Sequence, residues 1–420
     1  MPGRLRREDA PVTAQLSADS RVRFHPLATR PDGAEWIVGR PATGEFVAVP
    51  AEAIALLEAL GNGATIADAK RTADQSYDGD IDALDFVADL VELGFVAAVD
   101  DQPVPDDPVR PPSLPWLRPR HVAWLFGAPA VAGAAVLMLA GAVAQAMVGF
   151  PGYSAFFAVR WPGLNLALLA AIGLAILALH ELSHLAAARA AGVSGWFGLG
   201  TRMFFLVAQT SVPGLWMAGR SIRLRVFAAG MISDLLVWSG ACMILALARP
   251  HGTARGLLGQ VALVALIGVL EQFAFCLRTD VFLVVQELAG CKNLHADALG
   301  YLGYLVRRRP GAADPLLVIP AAERRAVRLY APLMAGGCAV IVALTAGYAL
   351  PLDIGTISRA VHEIASGLAP ARPAALADGA AALVVLAAFQ VLLAVTLLRT
   401  YGSRLRILLD GQLRRPRLPA

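Results

Sequence analysis

Residues 176–185 of the 420-residue chain read ILALHELSHL, an HExxH motif inside an apolar run that continues on both sides. Residues four apart lie on the same face of a helix, so a helix here brings the imidazoles of His180 and His184 together. Glu181 stands beside them and can reach water held at such a pair. We interpret the motif as two zinc ligands and a general base. The alternative is a pair of histidines that hydrogen-bond neighbouring helices.

The composition predicts a protein of the membrane. Hydrophobic residues make up 57% of the chain, charged residues 16%, and the mean hydropathy is +0.59, values outside the range of soluble globular proteins. The predicted fold class is mainly α: a polytopic membrane helical bundle with a small α+β domain at its N-terminus. The net charge of +4 is small, and the arginines stand beside apolar segments. This charge pattern indicates membrane topology and excludes nucleic acid as a partner.

The first hundred residues are mixed and polar and are predicted to form one small domain, 1–100. Segments 35–40 and 45–49 flank Pro-Ala-Thr-Gly, a hairpin signal. Three short amphipathic helices follow, and 95–99 is predicted as a closing strand. Seven prolines between 101 and 120 predict an extended linker to a membrane domain, 121–420.

The membrane domain contains about six apolar segments long enough to cross a bilayer. They are 122–148, 164–193, 226–248, 257–277, 329–350 and 380–398. The second, third and fourth segments form the predicted core, in which the fourth extends to residue 281 (164–193, 226–248 and 257–281). The connections 189–225 and 292–328 and the tail from 399 are rich in arginine, and no signal peptide precedes the first domain. The positive-inside rule therefore predicts a multi-pass inner-membrane protein whose N-terminal domain is cytoplasmic.

A catalytic zinc site needs a third protein ligand. The second and fourth spans run in the same direction in this topology, so a carboxylate late in the fourth meets the two histidines late in the second. Asp280, in Arg-Thr-Asp directly after the fourth apolar run, is the best oxygen donor at that depth. Its competitors are Glu271, Glu287, Asp234 and, as a soft ligand, Cys276. Without the HExxH motif, Asp280 and Arg278 would be interpreted as interfacial anchors of a helix end.

Asp234 is a single acid inside the third span. A buried, unpaired carboxylate is costly, so this group is protonated, paired with a basic residue such as Arg223 or Arg225, or at the edge of a hydrated site. We interpret Asp234 as a residue that positions substrate or supports a metal ligand; structural pairing is the alternative.

These motifs together resemble the site-2 protease family of intramembrane zinc metalloproteases. The resemblance runs through HELSH (180–184), Gly230 with Asp234, RTD (278–280) and GCKNL (290–294). It implies a Zn²⁺ ion held by His180, His184 and Asp280, with Glu181 as general base in the hydrolysis of a peptide bond near the cytoplasmic face. The sequence departs from the family pattern in Val281, where Gly is common, and in Asp234, where Asn is common.

The N-terminal domain resembles the PqqD-like winged-helix domain, which occurs in a peptide-processing branch of that family. WIVGR (36–40) and FVAVP (46–50) are the most similar segments. The resemblance implies leader-peptide binding by strand addition, and hence a membrane-embedded or ribosomally made peptide precursor as substrate. A small regulatory or folding-support domain without a ligand is the alternative.

Segment 193–220 alternates glycine, aromatic and β-branched residues and is predicted to form a hairpin beside the cytoplasmic mouth of the site, or a plain loop. Two other classes of protein remain as rivals to a peptidase. One is a non-catalytic membrane component of peptide export or immunity. The other is a proton-coupled transporter, although no inverted repeat is visible in the sequence.

Overall fold

The computed structural model describes residues 16–33, 35–76, 81–106, 111–202, 205–291, 293–307, 313–368 and 372–413. The chain forms two compact units. The first combines Met1–Trp116 with Gly192–Trp196 and Ser211–Arg223, and the second combines Leu117–Ala191, Phe197–Thr210 and Leu224–Ala420. Parts of the predicted arginine-rich connection and tail, at 292, 308–312 and 414–420, lie outside the described residues.

The first unit contains two small antiparallel sheets. The predicted hairpin is confirmed: Glu35–Arg40 (β3) pairs with Glu45–Pro50 (β4). One sheet has the order β2-β3-β4 and the other β1-β5-β6, where the additional strands are Val22–Phe24 (β1), Ala28–Asp32 (β2), Val96–Val99 (β5) and Gln102–Pro103 (β6). The closing strand is thus also present, starting one residue later than predicted.

Three helices pack on these strands, as predicted. They are Ala51–Gly61 (α1), Ile66–Ser76 (α2) and Ala83–Glu92 (α3). The Thr65 hydroxyl accepts the Asp68 N–H at the start of α2, and the Asp82 carboxylate accepts two backbone N–H groups at the start of α3. Their apolar faces form a buried core that includes Leu56, Leu60 and Phe95.

The first residues of the predicted linker belong to this unit. Strand β6 adds to the edge of β5, where a proline is tolerated because its missing N–H faces away from the ladder. Asp106 then accepts two hydrogen bonds from the buried guanidinium of Arg40, at 2.7 and 2.6 Å. These bonds raise the pKa of Arg40 above its ordinary value. The ordered domain therefore continues beyond residue 100.

The same unit includes the segment before the third long helix. The Arg30 guanidinium donates to the Ala218 backbone oxygen at 2.9 Å. Gly44 lies against the ring of Pro213, so close that a Cβ at position 44 would be 2.2 Å from it. The sheet β2-β3-β4 is therefore in contact with residues 213–218.

The second unit is mainly helical, and six helical stretches among its described residues are long and apolar enough to cross a membrane. They are Ala128–Val148 (α5), Pro162–Ala190 (α6), Arg220–Leu247 (α7, which begins in the first unit), Gly252–Glu271 (α8), Ala321–Leu368 and Pro373–Leu392. The fifth comprises Ala321–Leu344 (α11), a π-helical turn and Leu350–Leu368 (α12), and the sixth is the first part of Pro373–Leu413 (α13). A short helix, Pro119–Val122 (α4), precedes them. The predicted number of apolar spans is confirmed, with different ends.

The fourth span differs most from its prediction, because no continuous helix runs from 257 to 281. Helix α8 ends at Glu271, a 3₁₀ turn occupies Phe275–Leu277, and Arg278 has a left-handed backbone (φ 53°). A new helix, Asp280–Ala289 (α9), then begins and is followed by Leu294–Arg307 (α10). The residue expected at the end of one helix is the first residue of another.

Tertiary contacts stabilise this break. The Tyr330 hydroxyl of α11 donates to the Phe275 backbone oxygen at 2.8 Å. Gly337, two turns further along α11, lies so close that a Cβ there would be 2.5 Å from the Phe275 nitrogen. Backbone groups freed from a helix in an apolar setting need such partners.

The predicted hairpin between the second and third spans is also present. Trp196–Arg202 (β7) and Phe205–Ser211 (β8) pair with each other, and residues 203–204 lie outside the described residues.

Candidate metal centre

Helix α6 carries both histidines of the motif on its buried face. His180 and His184 are 7% and 8% exposed, and Leu185–Arg189 are also buried. Leu179 and Leu182, on the other side of the helix, are exposed. Both faces of helix α6 are apolar in sequence, so hydrophobicity does not distinguish them. The one-turn spacing of the histidines indicates which face carries the candidate ligands.

Asp280 completes a compact triangle with the two imidazoles. Its Oδ2 lies 2.9 Å from His180 Nε2 and 3.2 Å from His184 Nε2, and the two Nε2 atoms are 3.1 Å apart. All three residues are buried, and they form the only group of three or more potential metal ligands in the described part of the chain. The group could hold a metal ion.

The Nδ1 atom of each histidine, here called the outer nitrogen, contacts a hydrogen-bond acceptor. These contacts orient the inner nitrogens, the two Nε2 atoms, toward each other. His184 Nδ1 lies 2.7 Å from the Val226 backbone oxygen, and His180 Nδ1 lies 2.7 Å from Asp234 Oδ2. A carbonyl oxygen only accepts, so His184 carries a proton on Nδ1; the carboxylate favours the same tautomer in His180. Neutral imidazoles in this tautomer direct two bare Nε2 lone pairs and one carboxylate oxygen at the same point.

When both imidazoles are neutral, no proton separates the three converging lone pairs, and a cation at their centre relieves their repulsion. A tetrahedral Zn²⁺ ion with ligands at about 2.0–2.1 Å places those ligands roughly 3.3 Å apart. The observed separations of 2.9–3.2 Å lie close to that spacing. Zinc sites also characteristically have the second nitrogen of each histidine bonded to a carboxylate or a backbone carbonyl. The donor set therefore fits zinc.

Gly230 of α7 lies directly against this centre. A Cβ at position 230 would be 2.4 Å from both His180 Nε2 and His184 Nε2. Any side chain at position 230 would therefore occupy the space beside the two Nε2 atoms, so the arrangement of the two rings depends on glycine here.

Hydrogen bonds across the break after α8 hold Asp280 in position. Gln272 Oε1 accepts the Asp280 backbone N–H at 3.0 Å, and the Thr279 hydroxyl donates to the Gln272 backbone oxygen. Asp280 stands in the first turn of α9, where the free N–H groups favour an ionised carboxylate.

Asp234 lies behind His180 rather than beside an arginine. Its Oδ2 contacts His180 Nδ1, and among the described residues its Oδ1 has no hydrogen-bond partner. The Arg223 guanidinium instead donates to the Ala218 backbone oxygen. Of the alternatives left by the sequence, this geometry favours support of a metal ligand over pairing with Arg223 or Arg225.

Glu181 is half-buried and faces the end of the hairpin. Its Oε2 accepts a hydrogen bond from the Thr210 hydroxyl at 2.7 Å. The competitors Glu271, Glu287 and Cys276 are not members of the three-residue group. Sequence reasoning did not find Thr210, because a threonine near the end of a strand carries no signal for contact with a residue 29 positions away.

No protein-family model, curated protein or solved structure matches the chain.

Proposed function

We propose that this protein is a zinc-dependent intramembrane peptidase of the site-2 protease type. Its proposed substrate is a membrane-embedded or ribosomally made peptide precursor, cleaved near the cytoplasmic face of the inner membrane. The observation that carries the proposal is the triangle of His180, His184 and Asp280, whose outer nitrogens are both engaged so that the inner ones are free for a metal.

In this proposal the two imidazoles and the Asp280 carboxylate hold the ion. Zn²⁺, when bound, supplies Lewis acidity that polarises a carbonyl and makes water acidic near neutral pH. The Glu181 carboxylate accepts the proton of the attacking water and returns it to the amide nitrogen that leaves. Asp234 keeps His180 in the Nδ1-protonated tautomer, which leaves its Nε2 available.

The N-terminal domain is proposed to deliver the peptide. The end strands of its sheet β2-β3-β4 are β2 and β4, and an extended peptide can add to an edge strand of a sheet. Tethering a binding domain to the membrane unit raises the local concentration of a bound peptide. The arginine-rich connections support a cytoplasmic position for this domain.

The test compares wild type with Glu181→Gln, both purified, loaded with zinc and reconstituted in phosphatidylcholine vesicles. The probe is a library of synthetic peptides with one apolar span each, with and without polar N-terminal extensions, and mass spectrometry identifies the fragments. Wild type is expected to release fragments. The variant is expected to hold the same zinc per chain and to be at least about 10²-fold slower, because it lacks the general base.

Equal fragment release by the two proteins would contradict the mechanism. A wild-type protein that binds zinc and releases no fragments would favour the non-catalytic component instead. Zinc-independent proton uptake by the vesicles would favour the transporter.

A further inference from the structure

Thr210, near the end of β8, contacts the residue that we propose as general base. Its Oγ1 lies 2.7 Å from Glu181 Oε2 and 2.9 Å from the Glu181 backbone oxygen. Both oxygens are acceptors, so the threonine hydroxyl is the donor. The two residues are 29 positions apart, so the contact exists only when the end of the hairpin lies at the HExxH helix.

Thr210 lies within hydrogen-bond distance of both the backbone oxygen and the carboxylate of Glu181. A glutamate side chain has several rotatable bonds, and the conformations it samples in isolation are mostly unsuited to proton transfer. The hydroxyl has a single proton, and donating it to the carboxylate selects a narrow set of these conformations. The other carboxylate oxygen, Oε1, takes no part in this contact and can accept a proton.

A purely structural role would be satisfied by the backbone oxygen alone, since threonine hydroxyls often bond nearby carbonyls. The shorter of the two contacts is the one to the carboxylate. Hydrogen bonds to a charged acceptor are also the stronger ones.

We propose that Thr210 is a positioning residue that orients the Glu181 carboxylate. This inference rests on the proposed peptidase function. It predicts that loss of the Thr210 hydroxyl disturbs the orientation of the base and leaves zinc binding intact.

The test compares Thr210→Val, which has nearly the same shape without the hydroxyl, with Thr210→Ser, which keeps it. Thr356→Val is the matched control, because the Thr356 hydroxyl is buried and has no hydrogen-bond partner among the described residues. With the peptide library, Thr210→Val is expected to lower kcat about tenfold or more with KM within about twofold, in line with a lost hydrogen bond to a charged group. Thr210→Ser retains most of kcat, the control is unchanged, and zinc content is equal in all.

A second readout needs no activity. The rate of trypsin cleavage after Arg202 of β7 is measured in metal-free protein. Thr210→Val is expected to be cleaved several-fold faster than wild type, and Thr210→Ser and Thr356→Val at the wild-type rate. Wild-type kcat and wild-type trypsin rates in Thr210→Val would overturn the proposal, as would equal impairment in Thr210→Ser. If wild type hydrolyses no peptide while Thr210→Val still accelerates trypsin cleavage, the peptidase function fails and the positioning role fails with it, but the hairpin contact stands.

Discussion

Replacing Gly230 by alanine tests the metal centre without removing any proposed ligand. The added Cβ would be 2.4 Å from both His180 Nε2 and His184 Nε2, whereas real Cβ contacts rarely come closer than about 3.0–3.4 Å. Either the rings or helix α7 must therefore move by roughly 0.6–1 Å. Metal sites tolerate ligand displacements of only about 0.2 Å.

Both movements would disturb the contacts that orient the two histidines. The atoms that orient the two rings, the Val226 oxygen and the Asp234 carboxylate, lie on the same helix as Gly230. If α7 retreats, both 2.7 Å hydrogen bonds lengthen beyond useful range; if the rings retreat, the Nε2 atoms leave the triangle. We expect Gly230→Ala to lower zinc affinity at least about 10–100-fold, the range for lost outer partners of zinc ligands.

The assay is competition for zinc against a chromogenic chelator, with thermal unfolding of the metal-free protein measured in parallel. Gly240→Ala is the matched control, because it lies on the same helix with nothing within 4 Å of its Cβ position. Alanine is preferred over glycine in a helix interior by about 1 kcal/mol, so the control should be slightly more stable than wild type and should bind zinc normally. Wild-type zinc affinity in Gly230→Ala would refute the geometry argued here.

Three further predictions concern the supporting residues and the N-terminal domain. Asp234→Ala should weaken zinc binding about 10–100-fold. Asp234→Asn should be less affected, because its side chain keeps an oxygen that accepts from His180. Equal zinc affinity in wild type and both variants would contradict the supporting role. Asp106→Ala leaves the buried Arg40 guanidinium without its carboxylate and should destabilise the first unit by about 1–3 kcal/mol, seen as faster hydrogen exchange in β5; unchanged exchange would count against the pair. Deletion of residues 1–100 should raise KM for extended peptides far more than it lowers kcat; equal KM for wild type and the deletion would defeat the delivery role.

The parts of this fold that the sequence predicts are those encoded locally. The spacing of His180 and His184 needs only the period of a helix, and the six apolar stretches need only composition. The hairpin of β3 and β4 follows from two alternating segments around a turn signal. Strands β2 and β6 escape prediction because they are short and contain Pro31 and Pro103, which normally argue against a strand.

The break after Glu271 depends on distant residues instead. Segment 273–279 contains neither glycine nor proline, so nothing in it signals the end of a helix. Its shape depends on Tyr330 and Gly337, more than fifty residues later in the chain. Asp280 could be predicted as a candidate ligand because the predicted topology brings it close to the depth of the two histidines in the membrane. Its position at the start of a helix could not be predicted.

The most direct test is the zinc content of purified wild type, His184→Ala, Asp280→Ala and the control Glu287→Ala, an acid of the same helix α9 that lies outside the three-residue group. We expect one zinc ion per chain in wild type and in the control, and loss of zinc in both ligand variants. Full zinc occupancy at wild-type affinity in Asp280→Ala would contradict it.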